Sequence, residues 1–350
     1  MSDFPTLFRE AVVSGQELVE ARQAEDTLAT FARSVAAGLA GEPKWLHCRF
    51  LYDAEGSRLF ERITEQPEYY PTHTEASILA AYSDQIREIT GPRTIVELGS
   101  GYSVKTEHLL ATYSGDGNVL RYIPVDVSES ALREAHKSVS ANFPDVNFTG
   151  ISGAYASAFR VLRQLSPQMV VFLGSTIGNF NEAENTAFWQ SVAGHLPAGD
   201  FFLLGVDLVK DVDVLAAAYN DAAGVTAQFT KNYAVRLNRE LGANIDVSNV
   251  EHEATWNPDL ERMEISLRFA TPQRIHVQPL NQTFAVEAGE RVLIEISRKF
   301  RISKLEEELK LYGFEVRRTF TDEREWFALF LLERVADAVT TRALSLSANR

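Results

Sequence analysis

The chain has 350 residues, of which 45% are hydrophobic, so it can bury one large domain core or two modest ones. Its formal net charge of −14 argues against a nucleic-acid partner, because neutralising phosphates requires clustered lysine and arginine. The single cysteine, Cys48, excludes an internal disulfide framework, and neither a signal peptide nor an apolar run long enough to span a bilayer is visible. We therefore expect a soluble, cytoplasmic protein.

The first part of the chain predicts helices joined by turns. Residues 1–40 are alanine-rich and helical in pattern, with no visible chemistry. A short amphipathic helix is predicted at 58–65, and the sequence Pro-Glu-Tyr-Tyr-Pro at 67–71 predicts a rigid aromatic loop. The following Thr-His-Thr-Glu, from Thr72 to Glu75, matches a capping box and therefore predicts the start of a longer helix.

The central motif is Thr-Ile-Val-Glu-Leu-Gly-Ser-Gly at 94–101. An apolar run without alternation predicts a parallel strand that is buried on both faces, and the glycines let the backbone approach a ligand closely. The segment 102–113 then has apolar residues at helical spacing. We expect a ligand at the carboxyl end of this strand, where open α/β sheets bind nucleotides.

Strands and helices then alternate at short intervals. Strands are predicted at 122–128, 146–152, 169–176 and 201–208, with a helix between each pair. The segment Asn-Glu-Ala-Glu at 181–184 matches a second capping box. This alternation predicts a doubly wound parallel sheet of the α/β class.

The alternation stops after the fifth strand. Residues 211–239 predict helices, whereas 262–277 and 291–297 show the alternating pattern of antiparallel strands. This block is too long for a simple crossover, so we interpret it as a second substructure inserted into the first. The rest of the chain predicts a helix, a β-hairpin and a small polar tail, at 302–312, 314–334 and 336–350.

The glycine turn has features of a nucleotide site, but it lacks the third glycine of a dinucleotide fingerprint and any P-loop lysine pattern. Asp126 ends the second strand, where it can accept hydrogen bonds from ribose hydroxyls. The acidic Glu97 beside the turn suits a ligand with a cationic centre and an amino-acid tail. We therefore expect S-adenosylmethionine as the cofactor. An ordinary turn without a ligand and a nicotinamide dehydrogenase are the alternatives.

Several motifs together form a more specific pattern. The most specific are Pro-Glu-Tyr-Tyr-Pro-Thr at 67–72 and Leu-Gly-Ser-Thr-Ile-Gly-Asn-Phe at 173–180. Shorter ones lie at 50–57, 59–64, 97–101, 124–128, 207–211 and 295–297. From about residue 40 to about residue 335, the chain resembles the histidine-specific Nα-methyltransferase family of ergothioneine biosynthesis.

The resemblance implies an enzyme that methylates the α-amine of L-histidine three times, giving hercynine, with S-adenosylmethionine and no metal. It implies a Rossmann-like class I methyltransferase sheet formed by 74–208 and 298–350. An inserted α+β substrate-binding domain would then comprise 1–73 and 209–297. The partner would be a small amino acid, with no nucleic acid or membrane, and we expect a monomer.

The resemblance also implies a donor site. Gly99, Lys105 and Asp126 would bind the methyl donor. Ala154 stands where an acidic residue often contacts the adenine ring. We therefore expect adenine contacts from backbone N–H groups and from Tyr155.

The acceptor site is implied in the same way. Asn179 would hold the substrate amine, and a neutral side chain does not favour the ammonium form as a carboxylate would. Tyr52 would flank the growing methylammonium by cation–π attraction. The two ends of the substrate would be held by Tyr69 and Tyr219 at the carboxylate, and by Glu295 and Ser297 at the imidazole ring.

One position departs from the family pattern. Ile265 stands where a methionine is expected in the substrate pocket, and a β-branched side chain reshapes the pocket wall. An acceptor other than histidine therefore stays open, because relatives in the superfamily methylate tryptophan or a prenylated tryptophan. A non-catalytic protein that binds S-adenosylmethionine is a further alternative. The histidines are scattered without metal-ligand spacing, so no metal is expected.

Overall fold

A computed structural model describes residues 3–21, 28–114 and 119–335. Within these residues the strands form a nine-stranded sheet, a three-stranded sheet and a two-stranded ribbon. None of the helices in the described ranges combines the length and the apolar character that crossing a bilayer would require.

The amino-terminal part of the chain is mostly helical. Its elements are α1 (Phe4–Ser14), β1 (Leu18–Glu20), α2 (Leu28–Leu39), α3 (Ala54–Thr64) and α4 (Tyr70–Thr90). The capping box predicted at Thr72–Glu75 is wrong, because α4 begins earlier. Pro71 lies in its first turn, where a missing N–H costs no hydrogen bond. Glu75 is consequently a buried residue inside the helix and does not cap its amino terminus.

The alternation of strands and helices is confirmed. The elements are β2 (Thr94–Leu98), α5 (Glu107–Ser114), β3 (Leu120–Asp126), α6 (Glu129–Asn142), β4 (Val146–Phe148), β5 (Gly150–Ser152), α7 (Tyr155–Phe159), β6 (Gln168–Phe172), α8 (Glu182–His195) and β7 (Phe201–Asp207). Asn181 and Glu184 form the predicted capping box of α8. Helix α5 starts later than predicted, since Ser103 has a positive φ of 61°, which a right-handed helix does not allow.

The carboxyl-terminal part contains the inserted block and the final hairpin. Its elements are α9 (Val212–Tyr219), α10 (Val225–Leu241), β8 (Val250–Asn257), β9 (Arg262–Phe269), β10 (Gln273–Val277), β11 (Gln282–Val286), β12 (Arg291–Arg298), α11 (Ile302–Leu311), β13 (Phe314–Thr321) and β14 (Phe327–Arg334). Strands β13 and β14 pair antiparallel, which confirms the predicted hairpin.

The large sheet has the strand order β1-β5-β3-β2-β6-β7-β14-β13, and β4 also pairs with β3. Its pairs are parallel except where the hairpin joins it, since β14 runs antiparallel to β7. Strands β6 and β7 are buried along their whole length, as an apolar run without alternation predicts. The predicted doubly wound α/β sheet is thus confirmed.

The inserted block forms a separate antiparallel unit. Strands β8, β9 and β12 form one sheet, β10 and β11 form a ribbon, and α2, α3, α9 and α10 contribute to the same core. A β-bulge lies in β12 between Leu293 and Glu295. Because a bulge changes which face the following residues present, this irregularity sets the direction of the side chains after it.

The division into two domains stays a prediction. The pairing of β1 concerns the predicted assignment of residues 1–73 to the substrate-binding domain. Strand β1 pairs with β5, and Phe8 of α1 belongs to the core of the large sheet. Residues 3–21 therefore associate with the large sheet, whereas α2 packs in the core of the inserted unit. The tail at 336–350 lies outside the described residues.

Candidate active site

A cavity lies between the inserted unit and the carboxyl ends of β6 and β7. The loop after β6 forms one wall, and β12 and β9 form another. The structure brings together in this cavity all of the residues predicted for the acceptor side: Tyr52, Tyr69, Asn179, Tyr219, Ile265, Glu295 and Ser297.

Asn179 and Glu295 form the polar centre of the cavity. Asn179 ends a short 3-10 helix after β6, and its Nδ2 donates a hydrogen bond to Oε1 of Glu295 at 3.1 Å. Burial raises the pKa of the Glu295 carboxyl to about 7, although the nearby Lys299 ammonium and the Asn179 hydrogen bond oppose the shift. Glu295 can therefore change its protonation state near neutral pH.

Ser297 and Tyr219 belong to a buried hydrogen-bond network. The hydroxyl of Tyr219 donates to Oγ of Ser297 at 2.7 Å. Behind both hydroxyls lies Lys299, whose Nζ donates to Tyr219 at 2.8 Å and to Ser297 at 2.9 Å. The same ammonium group contacts Oδ2 of Asp207 at 2.7 Å.

Asp207 anchors this network from the end of β7. Burial alone would raise the pKa of its carboxyl, but the ammonium groups of Lys299 and Lys210 outweigh burial and hold the pKa below its usual value. The hydroxyl of Tyr70 also donates to Asp207, at 2.7 Å. Lys299 was not predicted, although it follows Glu295 and Ser297 at a spacing of two residues.

Aromatic rings close one side of the cavity. Tyr52 meets Phe60 and Phe229 edge-on, with 5.6 Å between ring centroids in each pair. Tyr69 meets Tyr219 at 6.4 Å. Phe60 and Phe229 were not predicted, because an apolar side chain on a helix resembles any core residue. The rings of Tyr52, Phe60, Tyr69, Tyr219 and Phe229 thus form an aromatic wall of the cavity.

Ile265 lies directly beside the polar centre. It is the cross-strand partner of Glu295 in the pairing of β9 with β12, and it is buried. The predicted contact of this residue with the substrate pocket therefore has a structural basis, because it also lines the cavity.

Two of the predicted donor residues, Gly99 and Asp126, lie at the carboxyl ends of β2 and β3. Gly99 has φ +69°, and a Cβ at this position would lie 3.1 Å from the hydroxyl of Tyr155. Asp126 accepts hydrogen bonds from the backbone N–H of Gly101 at 2.9 Å and of Ser128 at 2.8 Å. Each carboxylate oxygen keeps a lone pair for a further donor.

Lys105 lies beside the cavity, because a Cβ at Gly174 would lie 3.5 Å from its Nζ. Its Nζ pairs with Glu75, whose two oxygens also accept from the backbone N–H of Gly174 at 2.9 Å. Gly174 lines the cavity. Lys105 lies in the turn before α5, beside the fully buried carboxylate of Glu75.

Glu97 has a role different from the one expected. Its carboxylate accepts hydrogen bonds from Thr106 and Tyr122, and burial raises its pKa to about 7. We therefore correct the interpretation that this residue faces a cationic ligand, because its oxygens join the start of α5 to β3.

Ala154 is the residue before α7, and its side chain makes no capping hydrogen bond. Only backbone N–H groups are therefore offered at the start of this helix.

The comparisons with known proteins identify the family. A family model described as histidine-specific methyltransferase, SAM-dependent, matches residues 31–334. The chain belongs to this family. It is therefore an S-adenosylmethionine-dependent methyltransferase.

Relatives of this methyltransferase carry related names. The chain is 42% identical over 311 residues to the histidine N-alpha-methyltransferase of Mycolicibacterium smegmatis, covering 89% of this chain and 97% of that protein. It is 40% identical over 299 residues to the enzyme of the same name from Mycobacterium tuberculosis, covering 85% and 93%. It is 27% identical over 307 residues to the 4-dimethylallyltryptophan N-methyltransferase easF of Claviceps purpurea, covering 81% and 88%.

The solved structures that resemble the structure of this chain include an S-adenosylmethionine-dependent methyltransferase from Clostridium acetobutylicum. It has a TM-score of 0.46 and 14% identity, and the match covers 79% of this chain and 98% of that chain.

The predicted donor residues Gly99 and Asp126 fit the methyl donor. Gly99 leaves room where a side chain would touch Tyr155, so a ligand can approach the backbone there. Asp126 retains acceptor capacity for ribose hydroxyls. Among the described residues, no group of histidine, cysteine, aspartate and glutamate is arranged to hold a metal ion.

Proposed function

We propose that this methyltransferase transfers three methyl groups from S-adenosylmethionine to the α-amine of L-histidine, giving hercynine for ergothioneine biosynthesis. The observation that carries the proposal is the convergence of Glu295, Ser297, Asn179 and the tyrosines in one cavity. Gly174 in the cavity lies beside Lys105, which is one of the proposed donor residues. The names of the relatives that are about 40% identical support the same substrate.

The donor supplies an activated methyl group, so the chain has to align the amine with it. A nitrogen–carbon bond forms as the sulfur–carbon bond breaks, and the amine must be unprotonated for each transfer. Asn179 would orient the amine without favouring its ammonium form. Tyr52 would stabilise the product cation by offering its ring face.

The remaining residues would hold the two ends of histidine. Tyr69 would bind the carboxylate with its hydroxyl group, and Tyr219, whose hydroxyl hydrogen is donated to Ser297, would contact the amino-acid end through its ring. At the imidazole end, Glu295 would accept the ring N–H, and Ser297 would serve the other ring nitrogen. An amino acid with one donor and one acceptor on its ring matches this arrangement.

A direct test supplies purified protein with labelled donor and one amino acid at a time. We expect transfer to histidine and a product that carries three added methyl groups. Transfer to another amino acid without transfer to histidine would reject the proposal.

Tryptophan or a prenylated tryptophan is the second candidate acceptor. Ile265 beside Glu295 favours it, because it changes the wall where the family pattern has methionine. Indole, however, has an N–H and no acceptor nitrogen, so it cannot satisfy both Glu295 and Ser297. The same incubation with tryptophan and 4-dimethylallyltryptophan separates these candidates.

We propose further that the enzyme acts as a cytoplasmic monomer, with a methyltransferase domain (74–208, 298–350) and a substrate-binding domain (1–73, 209–297). In the second domain, 3–21 is the part that pairs with the large sheet. All the predicted acceptor residues line one cavity within a single chain, which supports this proposal. Sedimentation should give the mass of one chain, 39.1 kDa, and twice that mass would contradict the monomer.

A further inference from the structure

Lys299 is a buried cation directly behind the cavity. Its side chain has no solvent exposure, and Asp207, its ionic partner, is 1% exposed. An ammonium group has three hydrogens, and in this structure each has an acceptor: Asp207, Tyr219 and Ser297. Because all three directions are fixed by buried partners, Lys299 cannot turn towards the cavity without losing a hydrogen bond.

The network determines how the hydroxyl of Ser297 is oriented. A serine oxygen can accept two hydrogen bonds and donate one. Its two acceptor positions are filled by Lys299, at 2.9 Å, and by the hydroxyl of Tyr219, at 2.7 Å. No group within the described ranges accepts from Ser297. Its hydrogen is therefore available to the cavity that Ser297 lines.

Tyr219 continues this chain of hydrogen bonds. Its oxygen accepts from Lys299 at 2.8 Å, and its own hydrogen is directed at Ser297. The ammonium group thus polarises both hydroxyls in one direction, from Lys299 through Tyr219 to Ser297 and into the cavity.

We propose that Lys299 is a positioning residue that makes Ser297 an obligatory hydrogen-bond donor and so selects substrates whose ring carries an acceptor nitrogen. This inference rests on the proposed function, since it concerns the ring of the bound amino acid. Lys299 would thus determine whether the site prefers an imidazole or a ring without an acceptor nitrogen, although Lys299 itself does not touch the substrate.

The selection follows from the penalty for an unpaired polar group. A neutral imidazole has one N–H and one acceptor nitrogen, which match Glu295 and Ser297 respectively. A pyrrole ring of the same size keeps the N–H but has a C–H in place of the acceptor. The hydrogen of Ser297 would then be buried without a partner, and a site built for a hydrogen bond rejects such analogues strongly.

The test compares histidine with its two pyrrole analogues, 3-(pyrrol-2-yl)alanine and 3-(pyrrol-3-yl)alanine, in the same assay; the isomer that is methylated faster is the one used as the analogue, because it keeps the N–H towards Glu295. The variant Lys299→Met removes the ammonium group and keeps the length of the side chain. Lys210→Met is the matched control, since Lys210 also pairs with Asp207 but contacts neither Tyr219 nor Ser297. Donor affinity is measured for each protein by calorimetry.

In the wild type we expect kcat/KM to favour histidine over the analogue by about 100-fold or more. This ratio should fall about tenfold in Lys299→Met, mainly through a higher KM for histidine, with donor affinity retained. Lys210→Met should keep the wild-type ratio. Ser297→Ala should lower the ratio as much as Lys299→Met, and the double variant should lower it no further.

An unchanged ratio in Lys299→Met would overturn the inference, as would an equal fall in Lys210→Met. If the single variant fails to fold, Asp207→Asn combined with Lys299→Met carries the same test, because no buried carboxylate is left unpaired. A wild type that methylates histidine and the analogue equally would overturn only the inference. A wild type that methylates neither would instead reject the proposed function.

Discussion

Glu295 combines two properties that seldom occur together in a strand residue: it is buried, and its carboxyl titrates near neutral pH. Burial raises the pKa to about 7, while Asn179 and Lys299 favour the charged form. A charged carboxylate accepts a ring N–H more strongly than a neutral carboxyl does. Histidine binding should therefore depend on pH through Glu295 as well as through the titration of histidine itself.

We predict that Glu295→Gln removes a rise in histidine affinity that the wild type shows between about pH 6 and 8. It should weaken histidine binding by about 10- to 100-fold, and donor binding far less. Calorimetric titrations of both ligands over this range provide the measurement. Free histidine titrates in the same way in the experiments with the wild type and with Glu295→Gln, so its contribution to the pH dependence cancels when the two proteins are compared. Equal losses for the two ligands would contradict the assigned role.

Asn179 gives the second prediction at this scale. Asn179→Ala should lower turnover by about 10- to 100-fold, because the amine loses its orientation relative to the methyl group. Donor affinity should change little, since Asn179 lies on the cavity side of the site. Single-turnover rates and donor titrations measure the two effects separately. Unchanged turnover would exclude Asn179 from the reacting centre.

At the scale of elements, the turn after β2 depends on Gly99. Its φ of +69° and the nearby hydroxyl of Tyr155 leave no unstrained place for a side chain. We predict that Gly99→Ala weakens donor binding about tenfold or more. Gly289 is a matched control, because its φ is +80° but a Cβ there would meet nothing within 4 Å.

Both glycine variants should lose stability, by about 1–2 kcal/mol, for the same backbone reason. Only Gly99→Ala should lose donor affinity, as measured by calorimetry with S-adenosylhomocysteine. Comparable losses of affinity in the two variants would show that the effect is general and does not come from the turn.

The elements also show what the sequence could predict. Long apolar runs and the capping box of α8 were predicted correctly, because their signals are local. The start of α4 was not, since Pro71 outweighed the polar pattern that followed it. The bulge in β12 has no local signal either, because it depends on pairing with β9. The alternation of Glu295, Ser297 and Lys299 was visible, but the burial of a lysine is decided by Asp207, which is distant in sequence.

At the scale of the whole molecule, the site costs stability above neutral pH. A carboxyl whose folded pKa is raised contributes its stabilisation below the unfolded pKa and loses it as the pH rises through the folded value. Glu295 and Glu97 both have a pKa raised to about 7 by burial. The ligand-free protein should therefore become less stable between about pH 5 and 8 through these two residues.

We predict that Glu295→Gln reduces this loss, because an amide does not ionise. Near pH 8 the variant should be more stable than the wild type by about 1–3 kcal/mol, and near pH 4 the difference should vanish. Urea unfolding at both pH values provides the measurement. An identical pH dependence in the two proteins would contradict the raised pKa.

The arrangement of the two units was predictable in outline. The break in strand–helix alternation after β7 marks the inserted unit, because a parallel sheet requires that alternation. The pairing of β1 with β5 was not predicted, since a three-residue strand has no distinctive pattern. The family resemblance placed the acceptor residues, and the fold shows how β12 and the loop after β6 bring them into one cavity.

The central claim is that the cavity presents the α-amine of histidine, and not its ring, to the methyl donor. Tandem mass spectrometry of the product formed from histidine tests it most directly. We expect three methyl groups, all on the α-nitrogen, with an unmodified imidazole. Methyl groups on a ring nitrogen, or a product from another amino acid alone, would contradict the account.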